Sequence, residues 1–194
     1  MVWREGTVVS IPVGDGLFTL AQMLRSPYLC FFQVFRTGED WTGVDLESAP
    51  VLFVRGVTRQ FLRYAAITVR RDLAPASAVE VPDRWLQLGP GSQVVTAWRG
   101  APQELPVMTL GEEGLRVIQK SAAGVATPLG PYLVGSDHAE LDAYELDTLG
   151  VYPETIERLA ICRVFGRNVD PDKDLICGRD LPPEYRSYFV AISS

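Results

Sequence analysis

Residues 4–24 read REGTVVSIPVGDGLFTLAQML, two apolar-rich runs that flank a glycine-containing turn. Both runs alternate with a period of two residues, which is the period of a β-strand. Asp15-Gly16 supplies the positive φ that a tight hairpin requires, and Pro12, which has no backbone donor, is expected at an edge or beside the turn. The aromatic-rich run Tyr28–Phe35 predicts a third strand. A three-stranded meander therefore opens the chain.

The remaining sequence predicts a mainly β protein of the α+β class. Up to residue 98 we expect a polar loop at 36–50, a strand at 51–54, a helical turn that leads into a strand within 57–72, and a hairpin of strands 85–88 and 93–98. After it we expect an irregular connection at 99–114, a strand at 115–120 and a linker at 122–130. The last elements are a short acidic helix at 137–149 and a final strand at 185–192. The expected architecture is a strongly bent antiparallel sheet or partial barrel with helices late in the chain. Since no repeat or low-complexity tract is present, we expect a single domain over residues 1–194.

The clearest helix begins near Tyr152. Pro153 suits the first helical turn, and the spacing of Glu154 and Arg158 predicts an i, i+4 ion pair. Gly166 is a typical C-terminal stop. The expected apolar face consists of Ile156, Leu159, Ala160 and Val164.

Charge is distributed unevenly along this chain of 194 residues. The formal net charge is −6, with a balance of +1 in residues 1–100 and −7 in the rest. An acidic half argues against a nucleic-acid partner, because phosphate contacts need a basic surface. It favours either a solubilising surface or an acidic face that attracts a basic protein.

The apolar segments and the cysteines indicate a cytoplasmic protein. The strongest apolar stretch, 27–32, is far shorter than the roughly 20 residues that cross a membrane, and the N-terminus MVWREG does not resemble a signal peptide. The three cysteines are Cys30, Cys162 and Cys177, an odd number without metal-ligand spacing, which fits a reducing compartment. We expect no membrane and no metal partner, and the oligomeric state stays open.

Few residues offer catalytic or cofactor chemistry. His138 is the single histidine, so a hydrolase that needs a His base would have to use it; the alternative is that Ser136 or Asp137 caps a helix there. Gly14-Asp15-Gly16 is a hairpin turn rather than a phosphate loop, because no helix follows it. Residues 168–180 contain spaced aspartates, but they lack the glycine and closing glutamate of a calcium loop, so we expect a solvated loop. No cofactor is predicted.

An arginine series runs through residues 55–71 beside Phe61 and Tyr64. Its members are Arg55, Arg59, Arg63, Arg70 and Arg71. Arginines interleaved with aromatic residues are typical of anion-binding faces. Because the chain is acidic, we expect this series to form salt links to acidic helices of the same chain instead.

The opening hairpin resembles the start of the immunity protein 26 family of bacterial polymorphic toxin systems. The resemblance lies in Gly6, Ile11-Pro12-Val13, Gly16, Phe18 and Ala21-Gln22-Met23, with a looser match at Trp85 to Gly89. It covers the first 35 residues and fades in the acidic C-terminal part. It implies a mainly β, non-enzymatic protein that binds and neutralises a cognate toxin in the cytoplasm of the producing cell. No catalytic residues carry over, because the shared pattern contains none.

Under that interpretation, an acidic segment is the candidate partner-binding surface. Its carboxylates are Asp137, Glu140, Asp142, Glu145 and Asp147, and anionic side chains can mimic nucleic-acid phosphates toward a nuclease toxin. The alternative is a small-molecule-binding or regulatory β-barrel module whose pocket is ringed by Trp85, Trp98 and the arginines.

Overall fold

The computed structural model describes residues 2–89, 93–96, 106–109, 114–133 and 139–193. Its strands are, in chain order, β1 (Val8–Gly14), β2 (Leu17–Met23), β3 (Tyr28–Thr37), β4 (Val51–Val57), β5 (Thr68–Val69), β6 (Arg84–Leu88), β7 (Gln93–Thr96), β8 (Pro106–Thr109), β9 (Leu115–Lys120), β10 (Ala126–Pro128) and β11 (Leu149–Gly150). Its helices are α1 (Arg59–Tyr64), α2 (Glu154–Phe165), α3 (Pro171–Ile176) and α4 (Arg186–Ser193), with short 3-10 helices at Ala139–Ala143 and Pro183–Tyr185.

The chain divides into two compact units. We name them the half-barrel unit (Met1–Val81 and Thr148–Val169) and the small-sheet unit (Pro82–Asp147 and Asp170–Ser194). The expectation of a single domain over residues 1–194 stays a prediction.

A strongly curled six-stranded sheet forms the half-barrel unit. The strand order is β11-β4-β3-β2-β1-β5, and every neighbouring pair is antiparallel except β11 and β4. The pairing shifts register at Pro12/Gly14, Thr19/Ala21 and Phe31/Phe32. Such bulges bend a strand and increase its twist, which explains the curl. The predicted fold class, a bent, mainly antiparallel sheet with helices mostly late in the chain, is confirmed.

The opening hairpin forms as the sequence predicts. Gly14, Asp15 and Gly16 have φ values of 108°, 50° and 70°, which is the left-handed region that glycine favours. From this turn β1 and β2 pair along their length, and their buried residues Ile11 and Leu20 are fully inaccessible to solvent. The predicted helical turn and strand within 57–72 are confirmed as α1 and β5.

Helix α2 is present, but it buries a different face from the predicted one. It ends at Gly166, whose φ is 64°, as predicted. Leu159 is buried, whereas Val164 is 67% exposed, so the predicted apolar face was wrong there. The buried face includes Glu154 and Arg158, two charged residues that bind groups within the half-barrel unit.

In the small-sheet unit, β10, β9 and β6 form one sheet, and β7 pairs with β8 in another. The predicted hairpin between 85–88 and 93–98 was therefore wrong, because β6 pairs with β9 instead. That register places Trp85 opposite Ile118, and both side chains are buried. The burial of Trp85 opposite Ile118 thus favours the pairing of β6 with β9, although β7 is closer to β6 in sequence.

Two segments predicted as irregular contain strands. β8 lies within 99–114 and β10 within 122–130. Both contain proline, at the first residue of β8 (Pro106) and at the last residue of β10 (Pro128). At the end of a strand a missing backbone donor costs little, so proline did not exclude pairing here.

The acidic stretch 137–149 is not the predicted α-helix. Its described part forms a 3-10 helix, Ala139–Ala143, followed by extended backbone in which Leu146 makes a parallel bridge with Leu86. The predicted solvated loop at 168–180 was also wrong, since α3 occupies its centre. Asp170 caps α3 by accepting a hydrogen bond from the backbone N–H of Lys173, and Pro171 stands in the first turn.

The chain ends in helix α4 rather than in the predicted strand. Tyr185, Tyr188 and Phe189 are spaced i, i+3, i+4, and all three side chains are buried. This spacing places them on one side of a helix, whereas a strand would separate Tyr188 from Phe189 on opposite faces. None of the described helices combines the length and apolar character that a membrane crossing requires.

Candidate functional site

The described part of the acidic segment (residues 137–147), which begins at residue 139, is anchored in the small-sheet unit by two leucines. Leu141 and Leu146 are 0% and 3% exposed and belong to an apolar cluster with Leu86, Leu115 and Ile176. The backbone N–H of Leu86 donates to the carbonyl of Glu145, and the N–H of Asp147 donates to the carbonyl of Leu86, both at 2.8 Å. The segment is therefore tied to the edge of β6.

The structure locates three of the five predicted carboxylates. Asp142 is exposed, and Glu145 and Asp147 are half-buried. Asp137 lies outside the described residues, as does the side chain of Glu140. The segment therefore carries three described acidic residues, Asp142, Glu145 and Asp147, within six positions of the chain.

Two of these carboxylates bind cations of the same unit. Asp142 accepts a hydrogen bond from Arg179 at 2.7 Å, and Asp147 accepts one from Lys120 at 2.6 Å. Burial disfavours the charged form of Arg179, but its hydrogen bonds to Asp142 and Asp174 outweigh that effect and raise its pKa. The side chain of Asp142 is still 56% exposed, so it keeps oxygen surface that a partner can reach.

A second lysine holds the backbone of the acidic segment. Lys173 of α3 is buried, and its ammonium group donates to the carbonyls of Leu141 (3.3 Å) and Tyr144 (3.0 Å). The chain has only two lysines among its 18 basic residues, and both contact this segment. Sequence reasoning missed this role, although two lysines in an arginine-rich chain were a usable signal.

The arginine series lies in the half-barrel unit and serves several purposes. Arg55, on β4, forms a buried ion pair with Glu154 at the start of α2, which confirms the predicted salt link for this residue. Arg70 pairs with Asp72 beside it. Arg59 and Arg63 stand exposed on α1, and Arg71 is also exposed.

The Arg55–Glu154 pair is part of a closed polar network. Glu154 also accepts hydrogen bonds from the backbone N–H of Val151 (3.2 Å) and the hydroxyl of Thr155 (3.0 Å). Arg55 donates in addition to the hydroxyl of Thr148 at 3.3 Å. Because buried charges persist only when paired and hydrogen-bonded, this network stabilises the junction of β4 and α2 rather than exposing a reactive group.

The other predicted sites contain no assembled chemistry in the part of the chain that is described. Trp85 is 1% exposed and donates to the carbonyl of Pro82, so it does not rim a pocket; Trp98 and His138 lie outside the described residues. Asp170 caps α3, and Asp174 binds Arg179 and Tyr185. No group of three or more potential metal ligands occurs among the described residues.

None of the three cysteines, all of which are described and buried, forms a disulfide. Burial raises the pKa of the Cys30 thiol to about 12, and burial is also the main reason why the pKa of Cys177 is raised. Since the thiolate is the reactive form, neither side chain is an activated nucleophile.

Comparison with known proteins adds a family without an assigned activity. Residues 1–177 match the family described as a domain of unknown function, DUF8309. No curated protein matches the chain, and no solved structure does. The match extends over most of the 194 residues, and so over the whole half-barrel unit and part of the small-sheet unit.

Proposed function

We propose that this chain, which belongs to the DUF8309 family, is a non-enzymatic protein that binds and neutralises a toxin in the cytoplasm of the bacterium that makes it. The proposal starts from the resemblance of residues 4–35 to immunity proteins. The residues that carry this resemblance have structural roles: Ile11, Ala21 and Met23 are fully buried, and the side-chain amide of Gln22 bonds both backbone groups of Ala76. A shared motif that serves the scaffold leaves activity to a surface.

The observation that carries the proposal is the anchored backbone of residues 139–147, the described part of the acidic segment. Two buried leucines, a β-type bridge to Leu86 and the ammonium group of Lys173 hold this part in place. Binding to an ordered surface loses less conformational entropy than binding to a loop that must become ordered. Carboxylates on such a surface suit recognition better than carboxylates on a flexible tail.

Charge defines the kind of toxin that fits this surface. A nuclease binds phosphates through a basic groove, and carboxylates of the acidic segment can occupy the same positions. Arg179 and Lys120 already hold Asp142 and Asp147. Toxin cations would therefore share or replace these partners, and the gain would appear more in association rate than in affinity.

Purified toxin domain, encoded next to this chain, provides the test of the surface. We expect the triple variant Asp142→Asn, Glu145→Gln, Asp147→Asn to associate about tenfold more slowly at low salt, with a flatter salt dependence. Amide side chains keep the size of the carboxylates and remove only their charge.

A matched control removes two exposed acidic residues of the same unit outside the segment. The variant Asp180→Asn, Glu184→Gln should keep at least half of the wild-type association rate. If the triple variant bound the toxin domain with unchanged rate and salt dependence, the acidic segment would be the wrong surface. If wild-type protein formed no complex at all, the proposed function itself would be wrong.

A further inference from the structure

A cleft of about 680 Å³ opens in the half-barrel unit between the start of the chain and α1. Trp3, Pro27, Val57 and Leu62 supply apolar surface to it, and Arg59 and Arg63 supply charge. This volume lies within the range of about 300–1,000 Å³ that is typical of small-molecule sites. The toxin-binding proposal does not use this cleft.

The apolar wall of the cleft is fixed in place. The indole N–H of Trp3 donates to the carbonyl of Leu24 at 2.8 Å, which holds the ring in one orientation. Val57, which is 3% exposed, and Leu62, which is half-buried, also line the cleft. A rigid flat ring beside aliphatic side chains suits a flat apolar body.

The charged part consists of two arginines on one face of a helix. Arg59 and Arg63 are spaced i, i+4 on α1, so their side chains project from the same face. No carboxylate among the described residues pairs with either of them. Two exposed guanidinium groups without an acidic partner attract an anion from solution.

Aromatic stacking orients one of these arginines. The guanidinium of Arg63 lies 5.3 Å from the ring centroid of Tyr64, and that ring lies 6.1 Å from the ring of Tyr152. Tyr64 and Tyr152 are 50% and 37% exposed. A cation that is held by a ring loses less side-chain entropy when it binds an anion.

The geometry points to a binding site for an amphipathic organic anion. Its flat apolar part lies against Trp3 and Leu62, and its carboxylate, sulfonate or phosphate group lies between Arg59 and Arg63. Guanidinium groups bind such oxyanions through paired, charge-assisted hydrogen bonds. The site thus adds a ligand to a protein whose proposed function needs only a protein partner.

Two dyes of nearly equal apolar structure test this site on the full chain. The anionic probe is 8-anilinonaphthalene-1-sulfonate, and the neutral probe is N-phenyl-1-naphthylamine, which lacks the sulfonate. We expect saturable binding of the anionic dye, followed by its fluorescence. The variant Arg59→Gln, Arg63→Gln should bind it about tenfold more weakly at low salt while binding of the neutral dye changes less than about twofold.

A control variant tests whether the effect is specific to Arg59 and Arg63, and the thermal unfolding midpoint tests whether the variants remain folded. Arg71→Gln removes another exposed arginine of the same unit and should leave both dyes unaffected. Both substitutions lie on the surface, so the unfolding midpoint should stay within a few degrees of wild type. Equal binding of the anionic dye by wild type and by the Arg59→Gln, Arg63→Gln variant would overturn the inference, as would no binding by wild type. Preference for an acidic peptide over both dyes would equally overturn it and indicate a protein-docking face.

Discussion

Replacing Arg55 with methionine should destabilise the half-barrel unit by about 3 kcal/mol. Arg55 and Glu154 are 4% and 3% exposed, and the substitution removes the guanidinium group that pairs with the Glu154 carboxylate. Removing one partner of a buried ion pair typically costs about 3–5 kcal/mol. The lower end applies here because Glu154 keeps hydrogen bonds from Val151 and Thr155.

Urea unfolding measures this cost directly. With a denaturant slope of about 2 kcal/mol per molar, a loss of 3 kcal/mol lowers the unfolding midpoint by about 1.5 M. Adding Glu154→Gln to Arg55→Met removes the buried negative charge that Arg55 balanced and should restore about 1–2 kcal/mol. Arg71→Met, an exposed arginine of the same unit, should change stability by less than about 0.5 kcal/mol.

A loss of less than about 1 kcal/mol in Arg55→Met would refute this prediction. A further loss of stability when Glu154→Gln is added to Arg55→Met, in place of a recovery, would refute it as well. Either result would mean that the pair does not stabilise the junction of β4 and α2.

Two further predictions concern burial and space in the half-barrel unit. The free energy of unfolding should fall as the pH rises from about 9 toward 12, because the Cys30 thiol, whose pKa is raised to about 12 by burial, stays protonated in the folded state and ionises in the unfolded state. At pH 10 this loss of stability is about 1 kcal/mol. Urea titrations of wild type and Cys30→Ala at pH 8 and pH 10 isolate the contribution of the thiol. Equal pH dependence of stability in both proteins would contradict the prediction. Gly150→Ala should cost about 1–3 kcal/mol because its Cβ would lie 2.4 Å from the hydroxyl of Thr155 in the network around Glu154. Gly56→Ala should cost less, because its Cβ would meet the movable end of Leu149 at 2.8 Å, and equal losses of unfolding free energy would refute this distinction.

The sequence predicts local elements well because their signals are local. Positive φ at residues 14–16 was legible as Gly-Asp-Gly, and Gly166 marked the end of α2. Residues 185–192 show how a local signal misleads. Their aromatic and β-branched residues favour a strand, but the spacing of Tyr185, Tyr188 and Phe189 places all three buried rings on one side of a helix.

Pairings between distant segments were not predictable. β6 pairs with β9 some thirty residues later, and no residue between them specifies that partner over β7. The choice depends on burying Trp85 opposite Ile118, which is a property of the packed unit. Strand patterns predict that a strand exists more reliably than they predict its neighbour.

The acidic residues of the candidate site could be predicted from the sequence, but their cationic partners could not. The run of acidic residues between 137 and 147 was evident, and two of its carboxylates contact cations from distant segments. The fold brings three basic residues from other parts of the sequence into contact with the segment: Lys120, Lys173 and Arg179. Their identity as partners could not be read from spacing, although the rarity of lysine in this chain pointed to two of them.

Co-expression with the toxin domain that we expect to be encoded next to this chain tests the proposed function most directly. The host carries both genes under separate promoters, and survival is scored after induction of the toxin, with co-purification of a complex from the survivors. We expect survival and a stable complex with wild type, and loss of protection with the Asp142→Asn, Glu145→Gln, Asp147→Asn variant. Host death without a complex, although the folded protein accumulates, would contradict the account.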